Sequence, residues 1–160
     1  MPNLAIALVI AVIVGWVALY QPAFRRAVDG VPLAWFTGFH TLRATFGVFF
    51  LTFLEMGRFP EAFALRGGYG DILAGILGGL AAFLIVLGAS VGVTRAAVWV
   101  FSVVGLLDFA LVLYTGLTTL VPDAPFAAFY QFALIPTYVV PLFILTHIFA
   151  IRALLREARG

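Results

Sequence analysis

Four side chains in this sequence carry chemistry that their surroundings do not: His40, Arg43, Asp108 and His147. The first two lie three residues apart in the stretch TGFHTLRATFG, Thr37 to Gly47, inside a run that is otherwise Phe, Leu, Val, Ala and Gly. A pair of imidazoles can ligate haem iron or pass protons. A guanidinium pairs with a carboxylate or with haem propionates. An aspartate in an apolar run needs a partner, because an unpaired charge there is costly. The composition removes other chemistries. The chain has no cysteine, so disulfides, thiolate metal sites and cysteine nucleophiles are excluded. All nine basic residues are arginine, which excludes a lysine Schiff base.

The elements that must position these residues follow from hydropathy. Of 160 residues 64% are hydrophobic and 10% charged, more apolar surface than a soluble domain of this length can bury. Five segments are long enough to cross a bilayer as helices: 4–20, 32–54, 72–93, 96–120 and 126–151. The expected fold is a single all-α integral membrane domain over 1–160, a bundle of five transmembrane helices. The first segment is expected to stay as a helix rather than be cleaved, since Arg25 and Arg26 follow it and no basic residue precedes it.

Arginine placement orients the bundle. Arg25, Arg26, Arg95, Arg152, Arg156 and Arg159 fall on one side, and Arg58 and Arg66 on the other. That excess puts the C-terminus in the cytoplasm and the N-terminus outside, in an inner membrane of the bacterial kind that the arginine-only, Ala- and Gly-rich usage suggests. Trp16, Trp35 and Trp99 then fall near cytoplasmic helix ends, with Tyr69, Tyr114 and Tyr130 near outer ends, as interfacial belts. In the outer loop Glu55–Asp71, residues 60–66 are expected to form a short interfacial helix, an anchor or a lid. Gly67, Gly68 and Gly70 read as a turn, with Asp71 as the N-cap of the third helix. Gly75 and Gly79, and the stripe of Ala74, Gly78 and Ala82, read as packing faces. Pro136 and Pro141 are expected to kink the fifth helix.

Depth gives the four polar residues partners. At 1.5 Å per residue His40 lies about 12 Å and His147 about 8 Å from the cytoplasmic side. Arg43 lies about 16 Å deep and Asp108 about 19 Å from Arg95 by the same rise. The second helix carries Phe36, His40, Arg43, Gly47 and Leu54 on one face. An Arg43–Asp108 ion pair is therefore expected, with both histidines nearby.

Three functions fit. The sharpest is a b-type haem for electron transfer, held axially by His40 and His147, with Gly38 and Gly47 making room and Arg43 or Arg152 pairing with propionates. A second is a non-catalytic accessory or assembly subunit of a larger membrane complex, or a homo-oligomer, in which the polar residues specify packing. A third is a small transporter or proton relay through the four polar residues. No nucleophile constellation is visible, which leaves a quinone- or lipid-modifying membrane enzyme as a further reading, and nothing points to nucleic acid; the expected partner is the lipid bilayer.

Overall fold

A computed structural model describes residues 9–10, 13–17, 20–120 and 138–157. All regular structure among them is helical. In chain order the elements are α1 (Pro22–Asp29), α2 (Leu33–Gly38), a 3-10 turn (Phe39–Thr41), α3 (Leu42–Glu55), α4 (Glu61–Val86), α5 (Val91–Thr115), a π turn (Gly116–Leu120) and α6 (Val140–Glu157). The expected first span is described only in part. Of the expected fifth span, residues 126–137 lie outside the described residues, as do Pro136, Asp123, Tyr130 and Arg159. Pro141 occupies the first turn of α6, where a missing N–H costs little.

Local chemistry starts and stops each helix. The Gln21 side chain caps α1 by accepting from the N–H groups of Ala23 at 2.7 Å and Phe24 at 3.0 Å, with Pro22 behind the cap. The chain reverses between α4 and α5 over residues 87–90, where Gly88 takes φ +70, a conformation open to glycine. Elements α2, the 3-10 turn and α3 continue one another, so the expected second span tightens to a 3-10 turn at Phe39–Thr41 instead of breaking.

The third span departs from expectation. Helix α4 starts at Glu61, eleven residues before the expected start at 72, and so absorbs the supposed interfacial helix and glycine turn. Asp71 is not an N-cap but a buried residue in the helix interior. The outer loop shrinks to residues 56–60, which leaves no separate element to act as anchor or lid. Likewise α5 starts at Val91, not 96, so Arg95 lies inside the helix as its fifth residue. Glycine breaks helices in water because it gains backbone freedom and brings no side chain. Packed against another helix, it allows close approach. A Cβ on Gly68 would lie 2.7 Å from the Leu51 side chain, one on Gly75 2.6 Å from the Ala44 nitrogen, and one on Gly78 2.8 Å from the Thr37 carbonyl oxygen. Gly67, Gly68, Ala74, Gly75 and Gly78 are all buried, and this seam fixes α4 against the second span along its length.

Helix α4 packs between the second span and α5, and α6 packs on α5 and α2. Two of these helices, α4 with 26 residues and α5 with 25, are long and apolar enough to cross a membrane. Apolar layers close both ends of the bundle. At one end Leu33, Phe36, Ala81, Val98, Phe101, Ala150 and Leu154 pack together. At the other, Phe50, Phe59 and Phe63 meet at ring distances of 5.5–5.8 Å, tilted or edge-on contacts worth about 0.5–1.5 kcal/mol each beyond burial. The polar residues are held between these layers.

Candidate functional site

A 3-10 turn at Phe39–Thr41 joins α2 to α3, and His40 in it and Arg43 just after it are both fully buried. Arg43 Nε donates to Asp71 Oδ1 at 2.7 Å, and Nη2 donates to Asp108 Oδ2. Nη1 points at the Gly105 carbonyl oxygen at 3.4 Å, and the guanidinium carbon stacks 3.8 Å above the Phe109 ring. One side chain thus ties α3, α4 and α5 together. Asp71 and Asp108 are each 8% exposed, so the whole triad is nearly dry. On α5, Ser102, Gly105 and Asp108 recur every three residues and share the inner face.

Two glycines create the space. The carboxylate of Asp108 occupies the position that a Cβ on Gly70 would take. A Cβ on Gly105 would lie 2.5 Å from His147 Nε2 and 3.1 Å from Arg43 Nη1. The imidazole and the guanidinium therefore approach through the same gap in α5.

The histidines lie against each other, with ring centroids 4.1 Å apart and planes at 50°. His147 stacks on Phe101 at 4.4 Å, and His40 also meets Phe101 and Phe143 at 4.7 and 4.9 Å. His40 Nε2 is 2.9 Å from Thr146 Oγ1. Both nitrogens of His147, Nδ1 of His40 and the Ser102 hydroxyl are buried without a hydrogen-bond partner among the described residues. Most buried polar atoms in proteins have one.

The structure thus brings together all four residues singled out from the sequence, and it adds Asp71, Gly70, Gly105 and Thr146. Asp71 could have been found. It continues the helical register of Ala74, Gly75 and Gly78, and in an apolar setting glycine is packing surface rather than punctuation. A haem between the histidines needs the imidazoles end-on to the iron from opposite faces of the macrocycle. Here the rings touch each other within a shell of phenylalanines, and that packing does not fit a haem sandwich. Among the described residues no group of three or more His, Cys, Asp or Glu is placed to hold a metal ion. Arg152, a candidate for propionates, instead holds Asp29 of α1 in a two-point ion pair, at 3.0 and 3.1 Å. The Arg152 hydrogen bond, with the charges of Arg152, Arg156 and Arg25, holds the Asp29 carboxyl below its ordinary value of 3.8. Arg156 also donates to the Asp29 backbone oxygen at 3.0 Å, so α1 is tied to the end of α6.

A family model described as a domain of unknown function (DUF8737) matches residues 1–155. No curated protein and no solved structure matches the chain.

Proposed function

Because the chain belongs to the DUF8737 family, whose description names no activity, we propose a function from the site alone: a multi-pass membrane protein built around a buried proton relay. The protein crosses the inner membrane five times, N-terminus outside and C-terminus in the cytoplasm. The two long apolar helices and the six-to-two arginine asymmetry support that placement.

The observation that carries the relay is a charge balance at one buried place. A single guanidinium faces two carboxylates. With both carboxylates ionised the triad has one excess negative charge, which is costly in a dry site. One proton removes the excess. That proton can sit on a carboxylate, leaving His147 neutral, or on His147, leaving both carboxylates ionised. The site is neutral in either state, so a proton changes position without creating net charge in the bilayer. Arg43 keeps its own protons throughout and serves as the fixed positive charge. His147 lies beside the guanidinium at Gly105, and its ring touches that of His40.

The test is proton flux in liposomes carrying the purified protein and an internal pH dye, under an imposed potential. Flux above that of empty liposomes, lost in His147→Leu and in Asp108→Asn, is expected. Flux equal to the empty control, or unchanged in both variants, removes the relay.

A second reading has one observation in its favour: Arg43 directs its donors at three groups on two other helices, as a packing staple would. In that case the protein is an accessory or assembly subunit. Stoichiometric partners then co-purify from native membranes, and the His147→Leu protein still assembles with them.

A further inference from the structure

Thr146 is absent from the charge balance above, yet it decides which nitrogen of His40 can take part. Its hydroxyl oxygen lies 2.8 Å from the Phe143 carbonyl oxygen and 3.2 Å from that of Leu142. It also lies 2.9 Å from His40 Nε2. A threonine hydroxyl has one proton to give and lone pairs to receive. Carbonyl oxygens only accept, so a bond to Phe143 requires that Thr146 donate there. The hydroxyl then receives from His40, and Nε2 of His40 must carry the ring proton.

The opposite tautomer is poorer. The single hydroxyl proton would turn to Nε2 and abandon the carbonyl. The ring proton would then sit on Nδ1, which is buried without a partner among the described residues. That arrangement makes one hydrogen bond where the first makes two, and it orphans a donor instead of an acceptor. Buried N–H groups without acceptors are the rarer fault in proteins.

We propose that Thr146 is a positioning residue that holds His40 in its Nε2–H form, so that Nδ1 is the bare lone pair facing the buried interior. The bare nitrogen is then the place where His40 can take up and give back a proton, while the Nε2–H stays bonded to Thr146. The tautomer stands on the hydrogen-bond geometry alone; its use in proton transfer rests on the relay proposed above.

The experiment is nitrogen NMR of the full protein in lipid nanodiscs, labelled with ¹⁵N-histidine and assigned with His147→Leu. At neutral pH the His40 Nδ1 signal is expected in the unprotonated, pyridine-like range and Nε2 in the protonated range. Thr146→Val is expected to move both signals toward an average of the two tautomers, and Thr146→Ser to restore them. A protonated Nδ1 in the unsubstituted protein overturns the proposal, as does an unchanged spectrum in Thr146→Val. The first of these is read in the unsubstituted protein and does not depend on Thr146→Val folding. The spectra and the liposome flux fail separately. An Nε2–H spectrum in a protein without flux leaves the positioning role intact and removes the relay, whereas flux with a protonated Nδ1 does the reverse.

Discussion

Arg43 and His147 meet at the same glycine, Gly105, and are partnered in opposite ways. Two of the guanidinium's nitrogens are bonded to carboxylates, and the third points at a backbone carbonyl. The imidazole has stacking and contact neighbours but, among the described residues, no hydrogen bond at either nitrogen. Both side chains are fully buried. The difference separates two jobs. A saturated buried ion cluster specifies which helices pack and in what register, because breaking it leaves a charge stranded. A buried ring with both nitrogens unengaged adds little to folding and keeps its chemistry available.

Substitutions can break this contrast. The largest effect is expected from Arg43→Met, which strands two carboxylates. The loss should be about 3–5 kcal/mol of stability, read as a lower thermal midpoint in detergent. Adding Asp71→Asn and Asp108→Asn to that variant should recover part of it. Asp108→Asn alone keeps the Asp71 bond and should cost less, about 1.5–3 kcal/mol, the value of a hydrogen bond to a charged group. Gly105→Ala pushes a methyl group into both the ring and the guanidinium and should cost about 1–3 kcal/mol as overpacking. His147→Leu should shift stability by less than about 1.5 kcal/mol, since it is close in volume and no hydrogen bond is lost. It should nevertheless abolish flux. If His147→Leu unfolds the protein as readily as Arg43→Met, the separation of the two jobs is wrong.

The smallest expected effect lies outside the site. The Asp29 carboxyl is held below its ordinary value by Arg152 and its neighbours. A lowered folded-state value means that the pair contributes fully above the ordinary carboxylate range, and that the contribution is lost as pH falls through the folded value. The thermal midpoint should therefore decline on acidification below about pH 4, the ordinary aspartate range. Asp29→Asn should flatten that slope, and added salt should weaken it, because the pair is partly exposed.

Much of this arrangement was legible in the sequence, and the failures have a common cause. Apolar runs mark helices wherever they occur, so the helical class and the inward face with Phe36, His40, Arg43 and Gly47 could be read from spacing alone. Matching depths suggested Asp108 as a partner for Arg43. The start of α4 was missed because glycine and aspartate were interpreted by the rules of an aqueous turn. Flanked by an apolar neighbour helix and a buried arginine, Gly67, Gly68 and Gly70 become packing surface and Asp71 becomes a counter-ion. The contact between the two imidazoles was also beyond spacing. Depth along a helix says where two rings can meet, while their mutual tilt is set by Phe101 and Phe143, which come from two different helices. Thr146 is silent in sequence for the same reason: its role exists only once α6 lies beside the 3-10 turn that holds His40.

The two glycines that make room for the site have a consequence for other sequences. At residues 70 and 105 a methyl group would stand where a carboxylate and an imidazole need to be, and glycine leaves that space open. Each glycine is thus half of a complementary pair, Gly70 with Asp108 and Gly105 with His147. A homologous chain that carried alanine at either place would have no room for its mate, and the acid or the ring should be shortened or replaced in the same chain. Read in that way, a residue with no side chain becomes a marker for chemistry on another helix.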